Sequence, residues 1–152
     1  MAVKRVQAFI LAMVLLLCGC SQSSDKYTYV FWQPDDQIVS IEILRKTTDT
    51  ASIDDPIEVI FVVPTEEYTD FLSKLKTVPG EHQAVDPLTG LGPYIIRITY
   101  KDGEIALIGY ANTVYEQPSG KRRYYYFTFD CDAFHDFIAQ VLDIDVPTDL
   151  LQ

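Results

Sequence analysis

The sequence has few cysteines, few histidines and few basic residues for its length of 152 residues. The cysteines are Cys18, Cys20 and Cys131, and the histidines are His82 and His135, so neither a disulfide framework nor a zinc site is expected. Only 12 residues are basic against 22 acidic ones, which argues against binding to nucleic-acid phosphates. The remaining composition, 48% hydrophobic and 22% charged, is that of one globular domain.

The N-terminal residues have the pattern of an export signal. Lys4 and Arg5 precede an uncharged and mainly apolar run, 6–17, and a small residue, Gly19, follows it. The run has 12 residues, whereas a helix needs about 20 to cross a membrane, so a membrane-spanning helix is a poor interpretation. We therefore expect an exported domain.

The residues Leu17-Cys18-Gly19-Cys20 resemble the lipobox of bacterial lipoproteins, although Cys18 replaces the usual Ala, Ser or Thr. The resemblance implies cleavage before Cys20, a diacylglycerol on its thiol, and attachment to the outer side of a bacterial membrane. An ordinary signal peptide cleaved nearby is the alternative. We expect a signal peptide over 1–19, a short polar tether over 20–26 and one domain over 27–152.

Removing the signal peptide makes the expected domain more acidic. Lys4 and Arg5 leave with it, so 10 basic residues remain against 22 acidic ones, a charge of about −12. Two acyl chains hold a protein stably on a bilayer, since each buried CH₂ contributes about 0.8 kcal/mol. Lipid on Cys20 is therefore the expected contact with the membrane.

The first half of the expected domain predicts three strands and a helix. Alternating or continuous apolar residues indicate strands over 27–33, 39–43 and 57–63, and the last of them is expected to be covered on both faces or central in a sheet. Thr65 is the predicted cap of a helix. Its apolar stripe consists of Tyr68, Phe71, Leu72 and Leu75.

The second half predicts a hairpin, a strand and a helix. Asp102-Gly103 indicates a type I′ turn within 94–111, with Ile98 opposite Leu107, and with Ile105 and Leu107 on the buried face. After a loop over 81–93 and this hairpin, a strand is predicted over 122–129. A second amphipathic helix begins at Asp130 or Cys131; its predicted inner face consists of Phe134, Phe137, Ile138, Val141 and Leu142.

These elements predict an α+β fold, a mainly antiparallel sheet with two amphipathic helices in the order βββαβββα. An offset of 66 residues places Phe61 on Phe127 and Phe71 on Phe137, which suggests an internal duplication. The alternative is that any two strand-then-helix units align as well.

Catalytic and metal-binding motifs are weak. Cys131 and His135 stand four residues apart on one predicted helix, but acidic neighbours oppose ionisation of the thiol, so a partly buried cysteine beside a solvated histidine is the preferred interpretation. The aspartates are better explained as a helix cap and a solvated tail than as calcium ligands; they are Asp130, Asp132, Asp136, Asp143, Asp145 and Asp149. Adjacent carboxylates suit glycoside hydrolysis only when they face each other across a cleft; the adjacent pairs are Asp35-Asp36, Asp54-Asp55 and Glu66-Glu67. We expect no enzyme activity, no metal and no cofactor.

The most unusual composition follows Lys121, where two arginines and three tyrosines are consecutive in an acidic domain; they are Arg122, Arg123, Tyr124, Tyr125 and Tyr126. Alternation along a strand exposes at least one tyrosine, and Tyr and Arg are enriched at binding hot spots. The alternative is a hairpin whose cations balance neighbouring acids. The sequence thus favours a non-enzymatic binding or regulatory module of the cell envelope, with an envelope hydrolase or an inhibitor of an envelope enzyme as alternatives.

Overall fold

The computed structural model of the chain describes residues 33–48, 54, 56–83 and 90–143. The predicted lipobox, tether and most of the first predicted strand lie outside these residues, as does the tail containing Asp145 and Asp149. None of the helices within the described ranges is long and apolar enough to cross a membrane.

The described residues form eight strands and two α-helices. The strands are β1 (Ile38–Lys46), β2 (Ile57–Val62), β3 (Gly80–His82), β4 (Tyr94–Tyr100), β5 (Ile105–Ile108), β6 (Thr113–Glu116), β7 (Arg122–Tyr125) and β8 (Phe127–Phe129). The helices are α1 (Tyr68–Leu75) and α2 (Cys131–Leu142), and short 3-10 helices span Asp35–Gln37 and Thr65–Glu67.

Six strands form one antiparallel sheet in the order β2-β1-β4-β5-β6-β7, and β3 pairs with β8 in a separate antiparallel sheet. β1 lies between β2 and β4. It is the first strand of the sheet in sequence, and it becomes an inner strand only when β4 pairs with it. The prediction of an α+β fold with a mainly antiparallel sheet and two helices is confirmed.

Both helices pack on the same face of the six-stranded sheet. The core on this face joins Ile41 of β1 and Ile98 of β4 to aromatic and aliphatic side chains from the helices and β8. The helix and β8 members are Phe71, Leu72, Leu75, Phe127, Phe129, Phe134, Phe137 and Ile138. The apolar spacing of α1 and α2 therefore places their buried stripes against the sheet.

The opposite face has a smaller cluster, in which Leu91 packs with Leu44, Ile95 and Val114. The segment at Leu91 crosses very close to Gly109, where a Cβ would lie 1.7 Å from the backbone oxygen of Leu91. Only glycine leaves room for that crossing.

The hairpin of β4 and β5 has a different register from the predicted one. Ile98 pairs with Ala106, not Leu107, and Ile96 pairs with Ile108. Ala106 and Ile108 are buried in the core, so the prediction that Ile105 and Leu107 share the core face is wrong.

The turn explains this shift of one residue. The Tyr100 amide donates to Glu104 and the Gly103 amide donates to Tyr100, so three residues form the loop. Gly103 has a positive φ of 82° and Asp102 does not, which fits a type I turn with a glycine bulge and excludes type I′.

The predictions for the position of β2 in the sheet and for the cap at Thr65 are also wrong. β2 lies at the edge of the sheet, not in its centre, and Val59 and Val62 on it are exposed. Thr65 does not cap a helix with its side chain; it begins a 3-10 helix, and α1 starts at Tyr68. The cap at Asp130 is confirmed, since its carboxylate accepts from the Ala133 amide at 2.9 Å.

The predicted order βββαβββα is not confirmed. Within the described ranges β3 begins the segment predicted as a loop, β6 is an additional strand, and the predicted strand 122–129 is two strands separated at Tyr126. The duplication is not confirmed either, because Phe61 lies in the six-stranded sheet and Phe127 in the two-stranded sheet.

Candidate functional site

β7 carries most of the arginine and tyrosine residues that the sequence singles out, and it ends the six-stranded sheet. It pairs with β6 on one side, with Tyr115 opposite Arg123 and Val114 opposite Tyr124. The Gln117 amide donates to the carbonyl of Lys121, so these two residues form a hydrogen-bonded pair. Hydrogen-bonded and non-hydrogen-bonded pairs alternate along β6 and β7 from that point, which makes Val114 and Tyr124 a non-hydrogen-bonded pair. The backbone N–H and C=O of Tyr124 therefore point away from β6, towards the open edge.

The two arginines of β7 are held by carboxylates of the same chain. Arg122 donates to Glu116 and to Asp54, both at 2.8 Å, and these hydrogen bonds raise the pKa of its guanidinium. Arg123 donates to Glu104, which is only 5% exposed. The cations of this strand therefore balance neighbouring acids, as the alternative interpretation requires.

The three tyrosines have different surroundings. Tyr124 is 49% exposed, on the face opposite the helices. Tyr125 turns to the core face and packs edge-on against Tyr115, with ring centroids 5.1 Å apart. Tyr126 lies between β7 and β8, and its carbonyl accepts from the Gln83 amide. The expected exposed tyrosine is thus Tyr124.

Glu104 was not singled out from the sequence, although it organises this end of the sheet. Its carboxylate accepts from Arg123 and also from the Gln33 side chain, at 3.1 Å. Burial, and next the charge of Glu104, raise the pKa of the Tyr100 hydroxyl. Near Glu104, the only sequence pattern that predicts structure is the Asp102-Gly103 turn. The sequence does not predict the contacts of the Glu104 carboxylate, because Gln33 and Arg123 are distant in sequence.

Cys131 and His135 do meet on α2, with Sγ and Nδ1 3.6 Å apart. Burial, followed by the charges of Asp132 and Asp130, raises the pKa of the thiol. Burial lowers the pKa of His135, against the opposing effect of Asp132 and Asp136. Both shifts favour a neutral thiol beside a neutral imidazole, an arrangement opposite to that of an activated thiolate.

His135 is enclosed by aromatic rings. Tyr94, Tyr110 and Phe134 lie with ring centroids 5.9, 5.7 and 6.3 Å from its imidazole. His135 is 4% exposed, and its Nε2 atom has no hydrogen-bond partner among the residues that the structure describes. These contacts make His135 a packing residue of the core, so the prediction of a solvated histidine is wrong.

The acidic residues do not converge on a metal site. In the part of the chain that the structure describes, no group of three or more His, Cys, Asp or Glu side chains is arranged to hold an ion. Asp130 caps α2, and Asp35 and Asp36 lie in a 3-10 helix. Glu66 and Glu67 lie in the 3-10 helix that precedes α1.

A groove between α1 and α2 is a second feature that the sequence did not predict as a site. Its floor is aromatic and aliphatic, and its rim is polar; the lining residues are Phe61, Val63, Glu67, Asp70, Phe71, Lys74, Phe137, Gln140 and Val141. Its apolar residues were predicted only as core, because helical spacing does not distinguish a packed stripe from one that is partly uncovered.

No protein-family model matches the chain, and no curated protein or solved structure shows significant similarity to it.

Proposed function

We propose that the chain is a lipid-anchored, non-enzymatic binding module of the bacterial cell envelope. The observation that carries the proposal is the outer edge of β7, which pairs with no further strand among the described residues. Outward backbone groups and the exposed Tyr124 are adjacent at this edge. An extended segment of an envelope protein would add to this edge as a seventh strand. Main-chain hydrogen bonds give affinity in this binding mode, and side-chain contacts give specificity.

The ion pairs of β7 support this role by fixing the strand. Arg122 joins it to Glu116 on β6 and to Asp54 in the connection between β1 and β2. Arg123 joins it to Glu104 beside the turn of the neighbouring hairpin. A strand that is already ordered loses less conformational freedom when a partner binds, so more of the contact energy appears as affinity.

Lipid on Cys20 would keep this edge near the membrane. The tether between Cys20 and the domain is polar, and its six residues after Cys20 span at most about 20 Å when extended. The excess of acidic residues repels anionic head groups over about 8 to 10 Å, so the acyl chains would form the membrane contact. The partner would then be an envelope protein at the same membrane.

A photocrosslinking experiment tests the docking edge in the full-length chain. A benzophenone amino acid at Lys121, which is exposed beside β7, should give adducts in living cells. The same probe at Val59, which is exposed on β2 at the opposite edge of the sheet, is the control for random collisions. Tyr124→Pro should abolish the adducts from position 121, because proline removes the outward N–H but no bond to β6.

A melting curve of Tyr124→Pro checks that the domain is still folded. Adducts of equal yield from positions 121 and 59, or adducts from position 121 that persist in folded Tyr124→Pro, would rule out docking at β7.

A further inference from the structure

The groove between α1 and α2 lies on the helix side of the sheet, away from Tyr124. Phe71 and Phe137 meet edge-on across it, with ring centroids 5.3 Å apart. Phe61 and Val63, from β2 and the residue after it, continue the floor. Phe71 and Phe137 are only 4% and 6% exposed, so Phe61 and Val141 form most of the accessible apolar surface of the groove.

The volume of the groove limits what it can hold. It measures about 190 Å³. A dry cavity of roughly 150 Å³ accepts benzene, whereas pockets for larger ligands begin at about 300 Å³. One phenyl or branched aliphatic side chain fits, and a cofactor does not.

The rim of the groove carries a net negative charge. Glu67 and Asp70 stand beside one ammonium, that of Lys74, which is 2.7 Å from the Asp70 carboxylate. The hydrogen bond to Asp70 raises the pKa of Lys74, and the charge of Glu67 adds to that effect. Two carboxylates thus share one cation at the mouth of an aromatic floor, and Gln140 on the opposite side is uncharged.

We propose that this groove binds one aromatic or branched aliphatic side chain of a protein partner whose neighbouring residue is Lys or Arg. The apolar side chain would lie against the partly exposed Phe61 and Val141, and the adjacent cation would complete the charge balance at Glu67. The site is separate from β7 and does not depend on docking there.

Saturation-transfer NMR with short peptides tests the proposal on the full-length chain in zwitterionic nanodiscs. The probe is acetyl-Lys-Phe-Lys-amide, observed through its phenyl protons, with empty nanodiscs as the background. We expect millimolar binding that weakens as salt is added, because the rim is exposed. Acetyl-Glu-Phe-Glu-amide should bind more weakly, and acetyl-Lys-Ala-Lys-amide should show no saturable binding.

Two variants and a matched control locate the binding. Glu67→Gln should weaken the Lys-Phe-Lys peptide by up to about fivefold, as expected for one exposed ion pair. Glu66→Gln, next to it but outside the groove, should have no effect. Gln140→Trp places an indole over the floor from an exposed position and should abolish binding without unfolding the domain.

Three results would overturn the proposal: equal affinity for the Lys and Glu peptides, equal effects of the Glu66 and Glu67 variants, or unchanged binding to Gln140→Trp. Because none of these measurements involves β7, they are independent of the photocrosslinking result.

Discussion

The pair of rings formed by Tyr115 and Tyr125 gives a quantitative test of how the β7 edge is built. Tyr115 is fully buried, so Tyr115→Ala should lower the free energy of unfolding by about 3 to 5 kcal/mol, as large aromatic truncations do. Tyr125 is only partly buried, and Tyr125→Ala should cost about 2 kcal/mol. Tyr124→Ala, on the exposed side of the same strand, should cost about 0.5 kcal/mol or less.

The edge-on contact adds a term that belongs to neither residue alone. Rings in this geometry contribute about 0.5 to 1.5 kcal/mol beyond the area they bury. The double variant of Tyr115 and Tyr125 should therefore lose less stability than the two single variants together, by that amount.

Urea unfolding of the chain without its first 20 residues measures these values. With a slope of about 1 to 3 kcal/mol per molar urea, Tyr115→Ala should lower the midpoint by more than 1 M, and Tyr124→Ala by much less. A coupling energy of zero, or a loss for Tyr124→Ala equal to that for Tyr115→Ala, would refute the assignment of the two faces of β7.

Three further predictions concern separate features. Gly109→Ala should destabilise the domain by about 1 to 3 kcal/mol or more in the same assay, because its Cβ meets the Leu91 backbone; Gly120→Ala, in open space, should show only the cost of its positive φ, about 1 to 2 kcal/mol. Burial lowers the pKa of His135 in the folded domain, so the unfolded chain binds more protons and stability should fall as the pH drops below about 6.5. Thermal melts between pH 7.5 and 5.5 should show this loss, and His135→Gln should reduce it. Cys20→Ala should give an uncleaved precursor that incorporates no radiolabelled palmitate; incorporation into that variant would contradict lipidation at Cys20.

The fold class could be predicted from the sequence because alternation and helical stripes mark most of the elements. The register of β4 and β5 could not, since Ile105, Ala106, Leu107 and Ile108 are all apolar and either face of β5 suits a core. The length of the turn decides the register, and Asp102-Gly103 is compatible with both a two-residue and a three-residue loop.

The site was predictable only in part for the same reason. Composition identified β7, and alternation required an exposed tyrosine, but the register with β6 determines that it is Tyr124. The carboxylates that bind the arginines lie at Glu104, Glu116 and Asp54, and no local pattern connects Asp54 to Arg122. Contacts between residues so far apart in sequence follow from topology.

The position of β1 between β2 and β4 also affects the order in which the strands can pair during folding. When the chain becomes available for folding from its N-terminus onwards, β1 and β2 can pair early. Ile41 and Ile43 gain their neighbours on β4 only after residues 94–100 have also become available. Closing a loop of that length is entropically costly, and sheets built from distant segments fold slowly. The unfinished hairpin would expose both its apolar face and its inner edge during that interval. We therefore expect aggregation to be favoured in the time before β4 pairs.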